Sequence, residues 1–209
     1  FGNEFFDSLP IKQFSFHRKY LFEKFVTLTK KNVLKFTFKK TKKKNLDKFL
    51  YYKMPYKKNL IEYPIITIHY LKTISSKINK YGGALLVFDY GYNKKNCKNT
   101  LQSVRKHKFS NILSKVSTSD ITSHVNFKLM SNVLKKENLN VEKIVNQNYF
   151  LQKMGIVKRA NIIARNLSFK DKANLYYRLK RLLDVKYMGS LFKVLLAQKK
   201  ENKFSIGFD

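Results

Sequence analysis

Two carboxylates three residues apart, Glu4 and Asp7, are the first candidates for chemistry in this sequence. The chain has 209 residues, with 44 Lys or Arg and only 13 Asp or Glu, so a local pair of acidic side chains stands out. Asn3 precedes the pair, and Phe5 and Phe6 lie inside it. Two carboxylates in one place can bind a guanidinium group through charge-assisted hydrogen bonds. The alternative is a structural role, in which they cap the following turn or pair with a nearby lysine.

A second candidate site follows an apolar run in the middle of the chain. Residues 84–88 are continuously apolar, which is typical of a parallel strand buried on both faces. Asp89 and Tyr90 come directly after this run and Gly91 follows them. Open α/β sheets bind ligands at the carboxyl ends of their strands, so we expect Asp89 and Tyr90 to belong to a site. The alternative for Asp89 is an Asx turn at the end of the strand.

Four polar residues further along could line a substrate groove, although each alone more often has a structural role. They are Arg105, His107, Asp120 and His124. The four histidines of the chain are scattered without the spacing of metal ligands, so no metal site is predicted. The single Cys97 excludes an internal disulfide and fits a reducing compartment.

The elements that would position these residues follow from hydrophobic periodicity. Alternation predicts three strands in the first part of the chain, with a turn at residues 17–19, and a solvated basic loop follows at 39–48. Helical spacing after Pro64 predicts a helix over 64–80. The remaining predictions are a strand or extended arm at 100–109, a helix ending near 136, helices within 147–184 and a closing strand at 191–199. Together these elements predict an α/β fold.

Leucines and tyrosines of the last predicted helix have the spacing of a buried face. We expect Tyr176, Tyr177, Leu179, Leu182 and Leu183 to belong to the core.

The net charge of +31 invites a nucleic-acid interpretation. However, only six of the basic residues are Arg, whereas a dedicated nucleic-acid surface more often uses Arg for bidentate contacts. A lysine-rich solvated surface is therefore the favoured interpretation, and nonspecific affinity for polyanions is expected either way. No apolar run reaches the length of a membrane span. The first residues do not form a signal or transit peptide, and the missing initiator Met favours a truncated sequence.

Six segments in the same order resemble the MidA-like family of S-adenosyl-L-methionine-dependent methyltransferases, which includes a protein-arginine methyltransferase of respiratory complex I assembly. They are NEFFDSLP (3–10), GGALLVFDYG (82–91), TLQSVRKH (100–107), DITSHVNF (120–127), QNYFLQKMGIVKRA (147–160) and MGSLFKVL (188–195). Asn99 and Asn126 stand where this family has Asp. The segment 108–119 lacks the DPL and Pro-Gly pattern of the family.

This resemblance implies a Rossmann-like class I methyltransferase fold, represented from about its fourth strand onward. Residues 1–209 would form the C-terminal part of one domain, with a β-rich insertion around 11–60 and a helical insertion around 127–185. The implied cofactor is S-adenosyl-L-methionine. Its glycine-rich loop would belong to an absent N-terminal half, because Gly82 and Gly83 precede a strand instead of following one. We therefore expect the 209 residues alone to be inactive.

The resemblance also implies a function, protein-arginine N-methylation linked to complex I assembly, with a complex I subunit as the candidate protein substrate. In class I methyltransferases the acceptor lies beyond the end of the fourth strand, which makes Glu4 and Asp7 the expected catalytic residues. The expected substrate-binding residues are Asn3, Asp89, Tyr90, Arg105, His107, Asp120 and His124. The alternative function is an RNA- or ribosome-associated binding protein on an inactive methyltransferase scaffold. The lysine-rich composition favours a bacterial cytoplasmic protein, with the mitochondrial matrix as the alternative.

Overall fold

A computed structural model describes residues 1–17, 20–42, 44–54, 60–94, 99–114 and 118–209. The predicted turn at 17–19 lies mostly outside the described residues, as do Cys97 and part of the segment 108–119. The strands are β1 (Gly2–Asn3), β2 (Lys12–His17), β3 (Tyr20–Leu28), β4 (Leu34–Lys40), β5 (Ile61–Tyr63), β6 (Ala84–Tyr92), β7 (Gln102–Arg105), β8 (Lys108–Ser110), β9 (Asp120–Thr122), β10 (Val125–Asn126), β11 (Leu139–Val141), β12 (Val145–Asn146) and β13 (Phe192–Lys199). The helices are α1 (Lys44–Tyr51), α2 (Ile65–Tyr81), α3 (Phe127–Lys136), α4 (Gln147–Lys153), α5 (Ile156–Ala164), α6 (Phe169–Leu183) and α7 (Met188–Leu191).

The main sheet has the order β1-β6-β13-β11. Strand β1 pairs with β6 in parallel, whereas β13 pairs antiparallel with both β6 and β11. The short β10 pairs in parallel with the carboxyl end of β6. Leu85 and Val87 point into one core cluster and Phe88 into another, so β6 is buried on both faces. The predicted central strand, the closing strand and the α/β class are confirmed.

Helices α2 and α3 cover one face of the main sheet. Their apolar stripes bury Leu71 from α2 and Phe127, Val133 and Leu134 from α3. On the opposite face, the ring of Phe150 from α4 packs against Phe88 with centroids 5.2 Å apart. The helix predicted after Pro64 is confirmed, with Pro64 immediately before its first residue.

A second, antiparallel sheet has the order β4-β3-β2-β5, and its first three strands confirm the predicted ones. The loop predicted at 39–48 is partly wrong, because α1 begins at Lys44. Phe49 on this helix is fully buried and its ring packs on Phe14 and Tyr63, with centroids 5.2 and 5.5 Å away.

The segment 100–109 forms parts of a small three-stranded sheet with the order β8-β7-β9. Strands β7 and β8 form a hairpin, and Lys106 and His107 at its turn both have positive φ angles of 48° and 61°. Two successive positive φ values are the signature of a type I′ hairpin turn.

The C-terminal helices α4, α5 and α6 pack against one another, and α4 and α6 also pack against α7. The prediction that α6 contributes core residues is wrong, since none of its residues is buried and Tyr177 is 65% exposed. Leu179, Leu182 and Leu183 are half-buried and Tyr176 is exposed. The apolar residues do have helical spacing, but the face that they form packs against neighbouring short helices instead of the main sheet. No helix in the described part of the chain is both long enough and apolar enough to cross a membrane.

Candidate active site

The carboxylate of Asp89 ties the loop after β1 to the end of β6. Its Oδ2 accepts hydrogen bonds from the backbone N–H groups of Phe6 (3.0 Å) and Asp7 (3.3 Å), and its Oδ1 accepts one from the N–H of Tyr90 (2.9 Å). Asp89 is fully buried. A parallel register that pairs Asn3 with Phe88 brings the two strand ends together, so both predicted sites form one cluster.

The electrostatics of this cluster raise the pKa of Asp89 to about 7. Burial of the charged form is the main cause, and the neighbouring Asp7 carboxylate adds to it. The three backbone N–H groups act in the opposite direction but are outweighed. Near neutral pH, Asp89 therefore exchanges a proton while Asp7 lies beside it.

Asp7 is also buried, at 5% exposure, and its two carboxylate oxygens differ. Oδ2 accepts a hydrogen bond from the hydroxyl of Tyr90. Oδ1 is buried and has no hydrogen-bond partner among the described residues. The backbone carbonyl of Asp7 accepts a hydrogen bond from the N–H of Ser123 (2.9 Å). An unpaired buried acceptor is costly, and an N–H group placed beside Oδ1 would satisfy it.

Glu4 and Asn3 lie at the exposed side of the same loop. Glu4 has a positive φ of 46°, a conformation that non-glycine residues rarely adopt. Its backbone N–H donates to the carbonyl of Phe88 (3.0 Å), while its side chain and that of Asn3 are exposed. The two carboxylates of the predicted pair therefore differ, with Glu4 at the surface and Asp7 in the interior. Phe6 belongs to the core, and Phe5 lies at the surface.

His124 completes the described cluster. Its ring lies edge-on to the ring of Tyr90, with centroids 5.5 Å apart and planes at 78°. Burial lowers the pKa of His124, the Glu62 carboxylate raises it, and the Lys193 ammonium group lowers it further. Burial also lowers the pKa of Lys193. The imidazole is consequently held mainly in its neutral form at neutral pH.

The other three predicted residues lie on the small sheet. Arg105 ends β7, His107 lies in the exposed hairpin turn, and Asp120 begins β9 opposite Val104. The structure thus brings together Asp7, Asp89, Tyr90 and His124. Arg105, His107 and Asp120 lie on the small β8-β7-β9 sheet or in its hairpin turn, and Thr122 at the end of β9 hydrogen-bonds Tyr90 of this cluster.

Glu62, a buried carboxylate on β5, was not among the residues predicted from the sequence. It accepts hydrogen bonds from the Gln13 side chain (2.9 Å) and from both the N–H (2.9 Å) and the hydroxyl (2.6 Å) of Thr100. Glu62, His124 and Phe6 line the same small cavity of about 20 Å³. The signal was present in the sequence, because Glu62 is a rare acidic residue inside the apolar segment LIEYPII.

The two Asn residues that replace family Asp residues have clear structural roles. Asn126 caps α3, since its Oδ1 accepts a hydrogen bond from the N–H of Leu129 (3.0 Å). Asn99 Oδ1 accepts one from the Gln13 side chain (2.7 Å). Both are roles of an oxygen acceptor, which Asn and Asp share.

An open groove of about 650 Å³ runs beside β1 and α2, and it contains both residues of the Gly82-Gly83 pair. These glycines lead into the amino-terminal end of β6, at the opposite end from Asp89. A cofactor loop of the kind predicted would follow a strand. Gly82 and Gly83 therefore do not form such a loop. The described residues contain no group of three or more His, Cys, Asp or Glu arranged to hold a metal ion.

Solved structures show the same architecture. A native crystal structure of a COG1565 superfamily protein from Burkholderia thailandensis superposes with a TM-score of 0.84 at 18% identity, covering 99% of this chain and 56% of that one. A second structure from Burkholderia thailandensis, of a protein bound to S-adenosyl-homocysteine, gives a TM-score of 0.83 at 17% identity, covering 99% and 55%. The fold and the mixed sheet thus define an α/β protein of the class I methyltransferase type, as predicted.

Residues 1–145 match the model of a protein family described as "Putative S-adenosyl-L-methionine-dependent methyltransferase". The chain belongs to this family, which confirms the predicted membership and the cofactor that the family uses. Among curated proteins, "Protein arginine methyltransferase NDUFAF7, mitochondrial" from Xenopus tropicalis is 31% identical over 124 residues, which is 59% of this chain and 28% of that protein. The protein of the same name from Danio rerio is 24% identical over 192 residues, 92% of this chain and 45% of that protein. The chain spans less than half the length of these curated relatives.

Proposed function

We propose that this protein methylates arginine side chains of a protein substrate, and that the loop after β1 forms the acceptor side of its site. The observation that carries the proposal is the buried Asp7 carboxylate. Its Oδ1 lacks a partner among the described residues, and it lies where the parallel strands β1 and β6 end side by side. Ligands bind at this end of open α/β sheets.

A guanidinium group matches the chemistry of this cluster. The unpaired Asp7 Oδ1 can accept one N–H of the guanidinium, and the exposed Glu4 carboxylate adds a second negative charge at the entrance. Tyr90 fixes the orientation of Asp7 by donating to Oδ2. S-adenosyl-L-methionine, when bound, supplies the methyl group. The residues of this chain hold the acceptor nitrogen in place and balance its charge, which is how enzymes lower the barrier of such a displacement.

Names of relatives support the choice of arginine. Several curated relatives are protein arginine methyltransferases described as mitochondrial. Together with the sequence resemblance, these names favour a substrate among the subunits of respiratory complex I. We propose a bacterial cytoplasmic location, with the mitochondrial matrix as the alternative that the names of the relatives favour.

The test is transfer of a labelled methyl group by the intact protein. It is incubated with labelled S-adenosyl-L-methionine and the quinone-proximal subunit of complex I, and the label is located by mass spectrometry. We expect label on arginine, and no label on a substrate whose modified arginine is replaced by lysine. Label that is absent, or confined to other residue types, would disprove arginine methylation.

The net charge of +31 favours a second candidate function, a basic protein that binds RNA on an inactive methyltransferase scaffold. Such binding would need more than the general attraction of lysines for phosphates. Nonspecific attraction weakens steeply as the salt concentration rises, whereas specific RNA binding should persist at higher salt.

A further inference from the structure

Glu62 lies on β5, in the second sheet, yet its hydrogen bonds lead to the candidate active site. All three residues of β5 are buried. The Glu62 Oε1 accepts hydrogen bonds from Gln13 Nε2 and from the N–H of Thr100, both at 2.9 Å, and Oε2 accepts one from the Thr100 hydroxyl at 2.6 Å. Charged acceptors form the stronger hydrogen bonds in proteins, so Thr100 is held firmly.

Thr100 passes this constraint on to His124. The Thr100 hydroxyl donates to Glu62, and this leaves a lone pair of Oγ1 directed toward the backbone N–H of His124. The backbone N–H of His124 donates to Thr100 Oγ1 at 3.0 Å. The preceding residue, Ser123, is held from the other side because its N–H donates to the Asp7 carbonyl at 2.9 Å. The backbone around His124 is therefore fixed between Glu62 and Asp7.

We propose that Glu62 is a positioning residue that holds His124, through Thr100, against Tyr90 at the edge of the acceptor site. The proposal rests on the proposed function for its catalytic consequence. His124 packs edge-on against Tyr90, and Tyr90 in turn holds the Asp7 carboxylate. Loss of the Glu62–Thr100 link frees one side of this arrangement, and small misplacements of catalytic groups reduce rates strongly.

Charge gives Glu62 a second effect that a neutral side chain would lack. Its carboxylate raises the pKa of His124 and so opposes the effect of burial and of Lys193. Replacing Glu62 by Gln removes the charge, so His124 should titrate at lower pH. Replacing Thr100 by Val breaks the link but keeps the charge, and it should leave this titration nearly unchanged.

The experiment compares Glu62→Gln and Thr100→Val with Glu23→Gln as the matched control. Glu23 is equally buried, at 9% exposure, but it bonds Lys12 on the neighbouring strand (2.7 Å) instead of Thr100. Nuclear magnetic resonance on the 209-residue chain measures amide exchange and imidazole titration of His124. Methyl transfer by the intact protein is measured at a temperature where circular dichroism shows every variant folded.

We expect His124 amide exchange to accelerate at least about tenfold in Glu62→Gln and Thr100→Val but not in Glu23→Gln. Methyl transfer should fall about ten- to a hundredfold in kcat, with the KM for S-adenosyl-L-methionine unchanged. Thr100→Ser, which restores the hydroxyl, should recover most of the rate. Unchanged exchange in Thr100→Val, or a loss of rate that follows only the loss of thermal stability, would overturn the proposal. If the unsubstituted protein transfers no methyl group to arginine, the proposed function fails, while the exchange data still decide whether Glu62 positions His124.

Discussion

The Tyr90 hydroxyl donates a hydrogen bond to the Asp7 carboxylate, and this contact joins β6 to the loop after β1. Burial raises the pKa of Tyr90 above its usual range, and the hydrogen bond to Asp7 raises it further. The phenol therefore stays protonated at neutral pH and remains a permanent donor. The Asp89 carboxylate accepts hydrogen bonds from the N–H groups of Phe6 and Asp7 in the same loop. The two neighbouring residues Asp89 and Tyr90 therefore both hold the loop after β1 against the end of β6.

The substitution Tyr90→Phe tests this contact. It leaves both oxygens of the buried Asp7 carboxylate without a donor in the described part of the chain, so we expect the free energy of unfolding to fall by about 1–3 kcal/mol. Denaturant unfolding followed by circular dichroism measures the loss. Tyr81→Phe is the control, since Tyr81 is 68% exposed and its substitution should change stability very little. Equal stability of Tyr90→Phe and the unsubstituted chain would show that the hydrogen bond contributes nothing.

The raised pKa of Asp89 predicts a pH dependence of stability. An aspartate in the unfolded chain titrates near 3.9, whereas folding raises the pKa of Asp89 to about 7. Between these values the folded state holds a proton that the unfolded state has lost. Stability from this group is therefore present below about pH 4 and is lost as the pH rises to about 7, by up to about 1.4 kcal/mol per pH unit.

Unfolding of Asp89→Asn at several pH values between 4 and 8 checks this prediction. The variant is expected to be less stable overall, because an amide NH₂ meets a backbone N–H group. Its free energy of unfolding should nevertheless decrease less with rising pH than that of the unsubstituted chain. Asp171→Asn, at an exposed position on α6, should keep the original slope. Parallel curves for Asp89→Asn and the unsubstituted chain would contradict the raised pKa.

The carboxylates of the acceptor loop make separate predictions for catalysis. Asp7→Asn removes the charge that faces a guanidinium, and we expect methyl transfer by the intact protein to fall by about a hundredfold or more. Glu4→Gln, at the exposed entrance, should reduce the rate less and leave stability unchanged. Binding of S-adenosyl-L-methionine, measured by calorimetry, should persist in both.

Glu201→Gln is the control for these two variants, because its side chain is 71% exposed in the turn after β13. It should retain the full rate. Full activity of Asp7→Asn would show that the Asp7 charge is not needed at the acceptor site. The proposal that this site binds arginine would then lose its main argument.

Local patterns in the sequence predicted most of the strands and helices, but they did not predict which residues the polar side chains would hydrogen-bond. The apolar run before Asp89 correctly predicted a central strand, because burial on both faces requires continuous apolar residues. The spacing of Tyr176 and Tyr177 predicted a core helix and was wrong, since periodicity gives a face but not what covers it. Glu62 was missed because its contacts to Gln13 and Thr100 join residues 49 and 38 positions apart.

The parallel pairing of β10 with β6 predicts a strict requirement for glycine at position 91. A Cβ added to Gly91 would lie 2.1 Å from the carbonyl oxygen of Val125, a backbone atom that cannot move without disrupting the pairing. We expect Gly91→Ala to lower the free energy of unfolding by more than about 2 kcal/mol. Gly2→Ala is the matched control on β1, where the added Cβ would meet Phe6 at an ordinary 3.6 Å. Similar stabilities for the two variants would mean that β10 does not pair closely with β6.

Binding of RNA by this basic chain should be electrostatic and nonspecific. Its charge of +31 comes mostly from lysine, and several lysines already lie over aromatic rings, as Lys24 does over Phe36 at 3.8 Å and Lys40 over Tyr20 at 3.6 Å. Rings covered in this way offer less surface for base stacking. We expect the affinity for random-sequence RNA, measured by fluorescence anisotropy, to fall by about a thousandfold or more between about 50 and 200 mM salt. An affinity that survives the higher salt and differs between RNA sequences would instead support the RNA-binding function over the methyltransferase.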